Sequence, residues 1–299
     1  MATDTNAAGP RSWERLRRNA LVQLAVMGAC LMAWMIGFAG FAMPALRGLG
    51  TAGTFAGDAV RILGALVYIA TAISLYRLLV QWIERRPAVE LARKPGAALG
   101  FLGFAIGALL FCGVISLLCL VGAAQLAGFG DTTRLVASLS AAMMAAVGEE
   151  LLFRGVLFRI LEQAAGTVTA LLVSALLFGL AHIANPNATL FSSLAIAIEA
   201  GLLLGLAFVA TRNLWFPIGI HLAWNFTQGG IFGASVSGSA SPGLVKTFFL
   251  GPDWLTGGAF GPEASVISLA LCIALALVFA LLARNRGRWK PTKLRLQLD

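Results

Sequence analysis

Charge is scarce in this chain. Only 12% of its 299 residues are Asp, Glu, Lys or Arg, while 59% are hydrophobic and the mean hydropathy is +0.86. An ordinary soluble domain carries about twice that share of charge, so an aqueous fold is excluded. Histidine is scarcer still, with two positions, His182 and His221. The four cysteines, Cys30, Cys112, Cys119 and Cys272, fall inside apolar runs and lack the spacing of a disulfide framework or a metal knuckle. They read as small core hydrophobes. No ten-residue alternation of apolar and polar residues appears, which excludes a membrane barrel. No internal repeat stands out either, which argues against the inverted halves of many transporters.

What is present is a series of long apolar runs. Eight read as helices: Ala20 to Met43, Ile62 to Val80, Ala97 to Val121, Leu135 to Leu161, Val168 to Ile183, Leu190 to Ala210, Phe216 to Gly233 and Ala264 to Ala283. A helix of about 20 apolar residues crosses a bilayer. The expected fold is therefore all-α, a polytopic integral membrane protein with about eight transmembrane helices. The first run is longer than the core of a signal peptide, so an uncleaved first helix is expected. Residues 1–19 form a basic N-terminal segment whose first nine residues are expected to be disordered. Residues 20–283 form a single transmembrane domain with its core at 135–226, and residues 284–299 a basic tail.

The net charge of +9 sits in short clusters beside these runs, the pattern of membrane anchors and not of a nucleic-acid binder. With the amino terminus inside, fifteen Lys and Arg flank the cytoplasmic side and four (Arg47, Arg61, Arg134, Lys246) the other, which predicts that both termini are cytoplasmic. The stretch from Trp82 to Gly96 reads either as a short interfacial amphipathic helix or as a basic loop. The Gly-, Ser- and Pro-rich connection from Ala234 to Glu263 is expected to face outward, either covering a site or simply linking helices.

The informative charges are the buried ones. Glu149, Glu150 and Arg154 interrupt an apolar run, where each costs at least a few kcal/mol unless it is paired or faces a cavity. Glu150 and Arg154, four apart, share a helix face, and Glu149 points about 100° away. One carboxylate is thus neutralised while the other stays available. His182 ends the stretch FGLAH, and His221 and Asn225, also four apart, frame HLAWN. Two histidines, a free carboxylate and an amide supply what water activation needs: a base, a group that orients or metallates the water, and donors for a developing oxyanion. Glu199 is a further ionisable residue in the sixth run, read as paired with a polar group more readily than as lining a substrate cavity.

These residues resemble a known family. EELLFR, FGLAH and HLAWN are similar, in order and spacing, to the EExxxR, FxxxH and HxxxN motifs of the CAAX prenyl protease and bacteriocin-processing (CPBP) family, also called Abi or type II CAAX endopeptidases. The similarity covers roughly Leu135 to Phe226, and GGAFGPE, from Gly257 to Glu263, is a weaker echo of bacterial members. The resemblance implies an intramembrane endopeptidase acting on peptide or protein substrates in or at the cell membrane, as a multi-pass protein. It further implies that Glu149 is the general base, His182 its partner on the attacking water, His221 and Asn225 oxyanion donors, and Glu150 and Arg154 a supporting pair. The family is classed among metallopeptidases, although a metal-free glutamate mechanism has also been argued for it. The chain lacks HExxH, so a zinc site would need His182, His221 and Glu149 to converge from separate helices. Pro186 and Pro217 offer helix breaks that would bring the two histidines to one depth. Three other readings stand beside this one: a proton-translocating or transport protein using the Glu, Arg and His cluster, a bis-histidine haem protein, and a non-catalytic membrane scaffold.

Overall fold

The computed structural model describes residues 19–292. The arginine patch before Asn19, the expected disordered start, and Lys293 and Arg295 lie outside the described residues.

Among the described residues, seven helices are long and apolar enough to cross a membrane. They are α1 (Ala20–Arg47), α2 (Phe55–Glu84), α3 (Arg93–Leu120), α4 (Thr132–Ala165), α5 (Thr167–Ala184), α6 (Leu190–Thr211) and α8 (Val266–Asn285). Between α6 and α8 lies α7 (215–231), eleven α-helical residues followed by six more widely wound. At 1.5 Å per residue α7 is about 26 Å long, short of a hydrocarbon core of about 30 Å. The expected span from Phe216 to Gly233 is therefore a helix, but a short one, ended by the left-handed Gly233 (φ +61°). With this correction to seven helices of spanning length, the all-α polytopic fold stands.

Local chemistry fixes the helix starts. The Asn19 side chain accepts the Leu21 and Val22 amides, Thr54 accepts Gly57, Thr189 and Ser192 form a reciprocal capping box, and Ser265 accepts Ser268. The faces are sorted for lipid: on α5, Leu172, Leu176 and Leu180 are exposed at a spacing of four, while Leu171, Ala175 and Phe178 are buried. Glycine brings α3 against α7, since a Cβ on Gly103 or Gly107 would collide with the Phe216 or Ile220 carbonyl and one on Gly219 with that of Gly100. Small residues at such crossings let backbones approach closely, and this contact holds the helix that carries His221.

Two features depart from the expected helices and loops. A two-stranded antiparallel sheet pairs β1 (Ala124–Phe129) with β2 (Val245–Phe249), in the register Ala124 to Phe249 and with an irregularity after Leu126. It ties the α3–α4 connection to the long segment before α8. The stretch from Trp82 to Gly96 is a folded loop, not an interfacial helix: α2 runs to Glu84, Arg85 turns left-handed (φ +55°), and one 3₁₀ turn, Val89–Leu91, precedes α3.

That loop belongs to a dense charge network. Arg86 bonds Glu84 and Glu90 at 2.8 Å each, Arg159 bonds Glu84 through both guanidinium nitrogens, and Tyr76 donates to Glu90 and, at 3.0 Å, to the Gly155 carbonyl. Burial alone would raise the Glu90 pKa, but the donors Arg86 and Tyr76 outweigh it and hold the carboxyl below its ordinary value. Alongside, Glu162 is held by Arg212 at 2.5 Å, by Thr167 at 2.7 Å and by Lys290 at 3.2 Å.

Candidate active site

The run that carries Glu149 packs through Gly148 against α2, where a Cβ would strike the Tyr68 hydroxyl. Just after the two glutamates, α4 widens to a π-type winding over Leu151–Phe158, a local irregularity that often marks functional positions. Arg154 lies within this segment and is almost fully buried. Its guanidinium donates to Glu150 Oε1 at 2.7 Å, to the Gly201 carbonyl at 3.1 Å and to the Ala200 carbonyl, and it stacks over the Phe178 ring at 4.8 Å. Both carbonyls lie in the second widened stretch, Ala197–Leu202 of α6. There the i→i+5 winding disturbs the usual backbone pairing and leaves carbonyls for a side chain to use.

Glu150 is completely buried and also receives His221 Nδ1 at 3.1 Å, so one oxygen serves both Arg154 and His221. Glu149 points elsewhere, as the helical angle predicts. Its side chain is 23% exposed, its Oε2 has no hydrogen-bond partner and lies 3.9 Å from His221 Nε2. His221 thus stands between the two carboxylates, with Nδ1 toward the buried one and Nε2 toward the available one.

His182 reaches the same place from the end of α5. Its Nδ1 is 2.8 Å from the Phe178 carbonyl, where it donates, which leaves Nε2 as an acceptor. The ring stacks on Phe178, whose own ring meets His221 edge-on at 6.4 Å between centroids. Glu149, His182, His221 and Asn225 all line one cavity of about 330 Å³, walled by Phe153, Phe178, Leu203, Leu204 and Trp224. Of the two prolines expected to set the depth, Pro186 follows the end of α5, whereas Pro217 sits in the first turn of α7 and breaks nothing. A proline in the first turn gives up an amide that has no partner in the helix anyway.

The cavity includes more acid than the motifs announce. Glu199 lines it with both oxygens lacking a hydrogen-bond partner, in place of the expected pairing. Glu263 lines it as well, together with Ser237, whose backbone amide donates to Glu263 Oε1. The connection from Ala234 onward therefore covers the site. Burial raises the Glu263 carboxyl to about 7 against the donors from Ser237 and Gln228. Its place was not legible from the sequence, although GGAFGPE marked the stretch.

Among the described residues no group of three His, Cys, Asp or Glu side chains converges on a common ligand position. Both imidazoles commit Nδ1, His182 to the Phe178 carbonyl and His221 to Glu150, so Nε2 of each ring is the atom left for a water or a metal, and that of His221 lies 3.9 Å from Glu149.

A carboxylate, two imidazoles and an amide line one cavity within a bundle of spanning helices, a combination of base and donor groups suited to activating a water. Residues 131–227 match the family described as type II CAAX prenyl endopeptidase, Rce1-like. The match covers all three motifs and bears out the resemblance drawn from them. Comparison with curated proteins and with solved structures returned no match.

Proposed function

We propose that the chain is an intramembrane endopeptidase of the cell membrane that hydrolyses membrane-associated or lipid-modified peptides with water activated by Glu149 and His182. The observation that carries this reading is that Glu149, whose Oε2 has no hydrogen-bond partner, and His182, whose Nδ1 is committed to the Phe178 carbonyl, line one cavity. A water held there gives its proton to Glu149 and attacks the scissile carbonyl. His221, its Nδ1–H held by Glu150, presents Nε2–H to the cavity when it carries a second proton. With the Asn225 amide one turn further along α7, it stabilises the oxyanion. Protonated Glu149 then returns the proton to the leaving amine. Glu150 and Arg154 fix the His221 ring and take no part in the proton transfer.

The test uses the full chain in liposomes, mixed with solubilised membrane proteins in ¹⁸O-labelled water. New carboxyl termini carrying the label are expected with the native chain and absent with Glu149→Gln, a loss of at least about 100-fold. Unlabelled or unchanged termini would overturn the reading. A parallel sample stripped by chelation decides the metal question: retained turnover supports the side-chain mechanism, and loss restored by zinc supports a metallopeptidase.

A further inference from the structure

Three carboxyl groups line the cavity, Glu149, Glu199 and Glu263, and no Lys or Arg does. The guanidinium of Arg154 is engaged by Glu150, by two carbonyls and by the Phe178 face. The water-activating mechanism employs Glu149 alone. Glu199 is 5% exposed with both oxygens unpartnered, and Glu263 is 2% exposed with only neutral donors, from Ser237 and Gln228. The two are near enough for their charges to interact, and Glu263 also feels His221.

A buried carboxyl without a partner is costly when ionised, and a cation delivered from outside removes that cost. The surrounding walls specify the shape of such a cation. Leu203, Leu204 and Trp224 are apolar and suited to an aliphatic stem, while the charge lies at the end, which is how lysine and arginine side chains bury themselves. A divalent metal is the poorer occupant, since the described residues offer no three-donor group.

We propose that Glu199 and Glu263 form an acidic subsite that receives a basic side chain of the peptide substrate, close to the bond cleaved at Glu149. This rests on the peptidase reading and adds the substrate class: apolar, membrane-associated peptides carrying a lysine or arginine beside the scissile bond.

The full chain carrying Glu149→Gln, in detergent, is titrated with two pools of short N-acylated apolar peptides that differ at one fixed residue, lysine or its uncharged isostere norleucine. The lysine pool is expected to bind at least about tenfold more tightly. Adding Glu199→Gln is expected to bring the ratio to about one, and Glu263→Gln gives the same test should the first variant not fold. Equal affinity for the two pools, or a lysine preference that survives both replacements, would overturn the subsite. The native chain then receives the same pools. Lysine-selective binding without cleavage supports the subsite and overturns the peptidase reading; equally fast cleavage of both pools does the reverse.

Discussion

The molecule treats its buried acids in two ways. In the network around Arg86, Arg159 and Arg212, each of Glu84, Glu90 and Glu162 has at least two donors. In the central cavity, Glu149 keeps a free oxygen and Glu199 has no donor on either oxygen. Both regions are largely shielded from solvent, so burial alone does not separate them. Satisfaction does: the paired carboxylates fasten α2, α4, α6 and the chain after α8 together, and the unsatisfied ones are available to a substrate or a water. Glu150 stands on the boundary, anchored by Arg154 through one oxygen and unpaired on the other.

This contrast can be broken at several points. The largest effect on stability is expected at the boundary, where Arg154→Met leaves the buried Glu150 with His221 Nδ1 as its one remaining side-chain partner. It should cost about 3–5 kcal/mol in detergent unfolding, and the double variant with Glu150→Gln should recover much of that loss. Next comes Glu263, whose folded pKa of about 7 lies above the ordinary 4.5. A raised carboxyl stabilises the fold when protonated. Its contribution, up to roughly 3 kcal/mol, is therefore present below pH 4.5 and lost as pH rises through 7. Thermal unfolding across that window should show the fall, and Glu263→Gln should flatten it. The smallest effect is expected at Lys290, whose side chain is 46% exposed and shares Glu162 with Arg212. Lys290→Gln should change stability by less than about 1 kcal/mol.

Much of the fold and of the site was legible in the sequence because both are written in local spacing. Length and apolarity marked all eight helices, and the four-residue interval between Glu150 and Arg154 marked their pairing and the separate direction of Glu149. What escaped has no local signature. β1 is six residues of mixed character whose partner lies over a hundred positions away in a glycine- and serine-rich stretch. Glu263 turns inward because Ser237 and the turn around it position the carboxyl, and nothing in the run GGAFGPE states that contact. The widened windings of α4 and α6 also leave no trace in apolar periodicity, yet they bring Arg154 to the Ala200 and Gly201 carbonyls. The loop from Trp82 to Gly96 resolved only in three dimensions, since Arg86 answers to Glu84 and Glu90 and not to a helix face.

The most direct test sets one acid of each kind against the other. Protein termini are compared across the membrane proteome of cells carrying the native chain, Glu149→Gln or Glu162→Gln at equal abundance, with thermal unfolding of each purified chain alongside. The account predicts that termini dependent on the native chain vanish with Glu149→Gln while its unfolding is unchanged, and persist with Glu162→Gln while its unfolding temperature falls. Identical termini in native and Glu149→Gln cells, or equal losses in both variants, would contradict it.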